Sequence, residues 1–148
     1  MKTFKHVLLA AAVSFALGAC TESPQETAED VADAREEAVE EVADAREDAA
    51  EEIADEQEDV AEAQADGENP LNEQSDTLEA AAKSRYDIAV TEAEGRYNIA
   101  MERCDGFDGA ERDSCQSTAK ADYESSKASA EAQRDAQLAE AERVDEME

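Results

Sequence analysis

The chain has little of what a compact globular core needs. Its 148 residues include no tryptophan, and aromatic residues make up only 4% of the sequence. Large aliphatic residues are scarce after the first twenty positions, whereas alanine is abundant. Alanine favours the α-helix but buries little apolar surface. We therefore predict an all-α fold of elongated helices, partly disordered or weakly packed.

Basic residues are also scarce. The sequence has 13 Lys and Arg against 41 Asp and Glu, which gives a net charge of −28. A nucleic-acid-binding protein needs a basic surface to displace counterions from phosphates, so we expect no nucleic-acid partner. The same charge opposes adhesion to an anionic bilayer, so membrane attachment would require a covalent anchor.

Residues that carry catalysis are nearly absent. The only histidine is His6, and the sequence has no glycine-rich phosphate loop and no Ser/His/Asp set. Isolated carboxylates on solvated surfaces are poor acid–base catalysts. The acids between Asp105 and Asp113 depart from the pattern of a calcium loop and are better interpreted as helix caps and solvated residues. We therefore expect no enzymatic activity, no cofactor and no metal site, with at most weak screening by divalent cations.

What the sequence does have begins with an export signal over residues 1–19. Lys2 and Lys5 give a basic start, and Val7 to Leu17 form an apolar run too short to span a bilayer. The tetrapeptide Leu17-Gly18-Ala19-Cys20 follows and resembles the lipobox of bacterial lipoproteins. This resemblance implies cleavage before Cys20, diacylation of its thiol and acylation of the new amino terminus. The alternative is an ordinary secretory signal followed by a chance cysteine.

The resemblance also implies a location. Thr21 stands where an aspartate would favour inner-membrane retention in some enteric lipoproteins. We therefore expect an outer-membrane protein that faces the periplasm and contacts the membrane through acyl chains on Cys20.

A long first helix is predicted over residues 24–66, after a lipidated tether of residues 20–23. Ser23 can cap the helix with Glu26 three residues on, and Pro24 occupies the first helical position, where its missing N–H costs nothing. No helix breaker occurs until Asp66-Gly67, a typical C-terminal stop.

An eleven-residue repeat fills this helix, with units that begin at Glu29, Glu40 and Glu51. The period keeps each side chain on a nearly straight stripe, with the acids on one arc and alanine and valine on the other. Two arginines, Arg35 and Arg46, also lie in the apolar arc. Either their stems lie across the alanines, or the stripe meets another helix, whose acids receive the guanidinium groups. In the second case a helical protein partner or a second copy would contact the partner-facing stripe, which comprises Val31, Arg35, Val42, Arg46 and Ile53.

A linker over residues 67–75 and a helical hairpin over residues 76–148 complete the chain. Asp76 to Glu79 form a capping box for a second helix, and a third helix opens at Asp108. Cys104 ends the inward stripe of the second helix, and Cys115 begins that of the third. In an oxidising compartment the two thiols are expected to form a disulfide at the tip of the hairpin. The alternative is a redox or metal pair, although the spacing is far from CxxC.

Residues 85–127 resemble alanine-rich helical segments of periplasmic proteins in Gram-negative bacteria, in which Tyr-x-x-Ala units precede a paired-cysteine loop. The resemblance implies a location and a fold, and no activity. The chain also resembles the small helical lipoprotein that ties the outer membrane to the cell wall. It ends at Glu148 without the terminal lysine needed for that bond, so we do not expect covalent wall linkage.

Together these features predict a lipid-anchored structural or interaction protein of the bacterial envelope, acting as a helical spacer or coiled-coil partner. The alternative is a stress-type protectant, because acidic eleven-residue repeats also resemble late-embryogenesis-abundant proteins. Such proteins stay disordered until they dry or bind.

Overall fold

The computed structural model describes residues 23–147, which form three long helices. α1 comprises Pro24–Asp66, α2 comprises Leu71–Asp105 and α3 comprises Gly109–Asp145. No strand occurs in this part of the chain. The predicted all-α class is confirmed, including the long acidic helix and the stapled hairpin.

The helices form a flat antiparallel layer with α2 in the middle. α1 and α3 both pack along α2, and within residues 23–147 no Cα atom of α1 lies within 8 Å of one in α3. α2 therefore buries residues on two opposite sides, while each outer helix is covered on one side only. This arrangement leaves two broad faces of the layer open to solvent.

The ends of α1 follow the predicted capping signals. The Ser23 hydroxyl accepts a hydrogen bond from the Glu26 backbone N–H at 3.2 Å, and Pro24 starts the helix. At the other end Gly67 adopts a left-handed conformation with φ of 78°. Glycine enters this region without the Cβ clash of other residues, and the Glu68 N–H bonds back to the Ala63 carbonyl at 3.0 Å.

α2 begins earlier than its capping box predicts, at Leu71 instead of Asp76, so the connection shrinks to residues 67–70. Pro70 occupies the N-cap position, and its carbonyl accepts a hydrogen bond from the Gln74 N–H at 2.9 Å, which starts the helical ladder. Ser75, expected in the linker, lies inside the helix and is buried. Its hydroxyl donates to the Ala141 carbonyl at 2.9 Å, which ties the start of α2 to the end of α3.

The core consists almost entirely of small side chains. Its buried apolar residues are Val31, Ala49, Ala63, Ala80, Ala81, Ala82, Ala93, Cys104, Ala119, Ala130 and Ala141. Each methyl group contributes less than about 1 kcal/mol on burial. The stability of the layer therefore comes from many small contacts between closely spaced helices along their whole length. Little apolar surface is buried at each contact.

Tyrosines fill the wider parts of the α2–α3 interface. The rings of Tyr97 and Tyr123 lie 5.5 Å apart, and the Arg134 guanidinium lies 4.5 Å above the Tyr86 ring. The Tyr123 hydroxyl donates to the Glu94 carboxylate at 3.0 Å. Because this bond requires the protonated phenol, it raises the pKa of Tyr123.

Candidate functional site

The partner-facing stripe of α1 lies along α2 of the same chain. Val31 is buried, and Val42 and Ile53 are half-buried against this helix. Arg35 and Arg46 lie at the margin of the contact, where both residues are exposed. The helix that covers the apolar part of the stripe is therefore intramolecular, and the arginines point to an adjoining surface.

Arg46 forms the ion pair that joins α1 to α2 at this margin. Its Nη2 lies 2.8 Å from Glu92 Oε1, and the second oxygen of Glu92 lies 4.0 Å from Arg96 Nη1. The Arg46 side chain remains 62% exposed. Exposed pairs of this kind contribute about 0.2–1 kcal/mol, so the pair orients the groups more than it stabilises the fold.

Nine acids of the repeat form an outer stripe on the side of α1 that points away from α2. All of them are exposed: Glu29, Asp33, Glu36, Glu40, Asp44, Glu47, Glu51, Asp55 and Glu58. Within the described chain no carboxylate of α1 forms an ion pair with a basic group. The outer stripe is thus a continuous, uncompensated line of negative charge.

Two acids of α1 lie at the α2 contact instead: Glu52, whose carboxylate accepts from the Ser84 hydroxyl at 2.8 Å, and Glu56. Glu56 is half-buried beside Thr77, whose hydroxyl approaches the Glu56 carbonyl at 3.4 Å. Partial burial raises the pKa of Glu56, and repulsion by Asp76 and Asp59 raises it further.

Sequence analysis missed a set of arginines on α2. Arg85, Arg96 and Arg103 are separated by eleven and seven residues, which are close to three and two helical turns, so they share one side of the helix. The Arg46–Glu92–Arg96 contacts place this side next to the exposed arginines of α1. We call the resulting surface the arginine face, defined by Arg35, Arg46, Arg85, Arg96 and Arg103. The spacing of the α2 arginines was a signal in the sequence.

The arginine face borders an open groove between α2 and α3. Its floor is made of alanines, and Ser125, Ser129 and Gln133 line its α3 side. Towards the disulfide, Phe107 and Thr118 widen the groove, and Phe107 is 45% exposed. The charged residues that line the groove are Arg96 and Arg103 on the α2 side, together with the acids Glu92, Glu111 and Asp122.

The predicted disulfide joins Cys104 and Cys115, whose Cα atoms lie 5.6 Å apart. Arg112 closes the same tip by donating to the carbonyls of Asp105 and Phe107, at 2.7 and 3.0 Å. Asp108 caps α3 through its own carbonyl, which accepts from the Glu111 N–H. Asp105 is thus the last residue of α2, Asp108 is the N-cap of α3, and Glu111 lies in the first turn of α3.

A second acidic group surrounds a cleft at the opposite end of the layer. Its lining residues are Asp59, Glu62, Ala63, Asp66, Glu68, Glu73 and Asp76. Among the described residues, the buried Glu73 Oε2 has no hydrogen-bond partner. Residues 23–147 hold no group of three or more His, Cys, Asp or Glu side chains that could bind a metal ion.

No family model, no curated protein and no solved structure matches the chain. Within residues 23–147 no helix has the length and apolarity needed to cross a membrane. The predicted signal at residues 1–19 and lipidation site at Cys20 lie outside the described residues.

Proposed function

We propose that this chain is a lipid-anchored structural protein of the bacterial cell envelope, held at the periplasmic side of the outer membrane by acyl chains on Cys20. The lipobox-like sequence Leu17-Gly18-Ala19-Cys20 is the observation that carries this proposal. The long helical layer is consistent with a spacer or an interaction partner.

The fold supports an orientation for such an anchor. Ser23 caps α1, and Thr27 in the first turn of this helix lies beside Gly106 at the disulfide tip. The three residues from Cys20 to Ser23 can span no more than about 11 Å. An anchored chain would therefore hold the disulfide tip close to the membrane surface.

The opposite end would then project away from the bilayer. α1 has 43 residues, which correspond to about 65 Å at 1.5 Å per residue. The connection between α1 and α2 and the end of α3 would lie at this distance. An antiparallel layer of that length suits a spacer that presents its long faces to other molecules.

Lipidation is tested by Cys20→Ser in cells grown with labelled palmitate, followed by a density gradient of the membranes. We expect the parent to carry label and to sediment with the outer membrane, and the serine variant to lose both properties. Label on the variant would refute the lipobox interpretation. Co-sedimentation of the parent with the inner membrane would refute the predicted location.

Orientation is tested with single tryptophans, because the chain has none of its own. We expect brominated lipids to quench Phe107→Trp in the acylated protein. Leu78→Trp is the matched control, since Leu78 is 40% exposed and lies more than about 40 Å away along α2. Equal quenching at both positions would contradict an upright layer.

The protectant alternative makes a different prediction for circular dichroism. A spacer should be strongly helical in dilute buffer. A protein that folds only on drying or binding should be coil in buffer and become helical in alcohol. The second outcome would favour the protectant function.

A further inference from the structure

The arginine face is a cluster of positive charge on a strongly acidic protein. In a chain of net charge −28, it collects Arg35 and Arg46 from α1 and Arg85, Arg96 and Arg103 from α2. All these residues are exposed. Glu92 lies between Arg46 and Arg96 and is the carboxylate with which both guanidinium groups pair. The remaining guanidinium groups leave this surface locally basic.

The α1 part of this face carries no acids. On the side of α1 that holds Arg35 and Arg46, the other exposed residues include Ala28, Ala32, Val39, Ala43, Ala50, Gln57 and Ala61. Val39 is 71% exposed. Such short side chains allow another helix to approach closely, with the arginines reaching around it.

We propose that the arginine face binds the outer stripe of α1 from a second copy of this chain. This inference deepens the proposed structural function and rests on it, because it names the partner of the helical layer. Charge complementarity carries it, since the outer stripe is an exposed line of carboxylates without basic partners in the described chain.

The spacing of the two surfaces also matches. Arg35 and Arg46 are eleven residues apart, as are Arg85 and Arg96. The acids of the outer stripe recur at the same interval, for example at Glu36, Glu47 and Glu58. This interval is about 16.5 Å along a helix. A register that pairs one repeat with one arginine therefore pairs the next repeat with the next arginine.

The contact uses two different surfaces of the chain, so it is heterologous. Each copy that binds through its arginine face still offers its own outer stripe, and the contact leads to rings or open rows of molecules. Overall repulsion opposes the contact at low ionic strength. It is screened over about 8 Å at physiological ionic strength, while carboxylate–guanidinium pairs in direct contact are weakened less.

The test uses the full chain in intact cells, with the photo-cross-linking amino acid benzoylphenylalanine at Val39. We expect a cross-linked dimer whose joined peptide comes from the outer stripe of α1. The same amino acid at Asn98, which is exposed on the opposite side of α2, is the control and should give little dimer. Absence of dimer at Val39, capture of a different protein, or equal yields at both positions would overturn the proposal.

Charge variants then test the arginines. Arg85→Gln with Arg96→Gln should lower the dimer yield from Val39 about tenfold, because two exposed ion pairs are lost. Lys83→Gln with Lys120→Gln removes the same charge from exposed positions away from the arginine face and should leave the yield unchanged. Equal loss in both variants would show that net charge alone governs association. Far-ultraviolet circular dichroism of both variants checks that the helices remain intact.

Failure of this inference is distinguishable from failure of the proposed function. Palmitate label with no cross-link would refute the self-association alone. Cross-linked dimer without label would refute the anchor and leave the arginine face as the interface.

Discussion

Gly95 of α2 packs directly against Ala38 of α1. A Cβ atom added at Gly95 would lie 2.6 Å from the Ala38 Cβ, a distance that real contacts do not show. Ala38 has no flexible side chain that could move aside, so the two helix backbones would have to separate. The glycine therefore allows the two helix backbones to lie close together at this point.

Gly95→Ala should destabilise the protein although alanine is the better helix former. The propensity gain is about 1 kcal/mol, whereas overpacking at a close helix contact costs about 1–3 kcal/mol. We expect a lower Tm, measured by circular dichroism. Asn98→Ala is the control, because Asn98 is exposed on the same helix and gains propensity without a clash.

The double variant Ala38→Gly with Gly95→Ala identifies the cause. It moves one methyl group from α1 to α2 and removes the clash, so its Tm should return towards that of the parent. If Gly95→Ala is as stable as Asn98→Ala, the close contact does not exist in solution.

Local signals accounted for both ends of α1 and for the disulfide. Ser23, Pro24 and Gly67 each have a conformational preference that acts within a few residues, and Cys104 and Cys115 lie on adjacent inward stripes. The docking of α1 onto α2 was not predicted, because a stripe of alanine and valine is compatible with many helix partners. Gly95 was the available clue, since a glycine inside a helical pattern often marks close backbone approach.

The arginine face depends on the same missing information. Spacing alone places Arg85, Arg96 and Arg103 on one side of α2. Only the packing of α1 shows that this side adjoins Arg46, and that it is left open instead of buried. The start of α2 was misplaced for another reason: the capping box at Asp76 to Glu79 favoured a start at Asp76, whereas the helix begins at Leu71 after Pro70.

Loss of the disulfide should weaken the α2–α3 hairpin. The bond closes a short loop, with a sequence separation of 11 residues, and such closure contributes about 3 kcal/mol. We expect the double variant Cys104→Ala with Cys115→Ala to melt several degrees below the parent. The parent treated with reductant should melt at a similar temperature. Free thiols in the protein isolated from the periplasm, or a bridge between two chains, would contradict this prediction.

Glu56→Gln should raise the Tm at neutral pH. The folded pKa of Glu56 is raised by partial burial and by nearby acids, so the folded state binds its proton more tightly than the unfolded state does. Its protonation therefore stabilises the fold at low pH, and that contribution is lost as pH rises through the folded pKa. The glutamine variant removes this loss, so its advantage should disappear below about pH 4.

Glu58→Gln is the matched control for that comparison. It removes the same charge from an exposed position of the outer stripe two residues away. A smaller rise in Tm is expected, because this change relieves only repulsion between solvated groups. Equal rises in the two variants would show that the environment of Glu56 has no particular role.

The outer stripe should make the stability of the whole layer depend on screening and pH. Its carboxylates recur at helical spacing, for example at Glu36, Glu40, Glu47 and Glu51, and like charges at such spacing cost a few tenths of a kcal/mol per pair. The thin alanine core offers little to offset that cost. We therefore expect the Tm at neutral pH to rise when sodium chloride is increased from 10 to 150 mM, and to rise again on acidification towards pH 4.

Magnesium or calcium tests whether this response is screening or binding. Residues 23–147 contain no cluster of ligands suited to a metal ion, so millimolar divalent cation should act mainly by screening. The rise in Tm should then be similar for sodium and magnesium at equal ionic strength. A saturable rise that magnesium alone produces would instead require a binding site. A fall in helicity between pH 7 and pH 4 would show that repulsion along α1 does not limit stability.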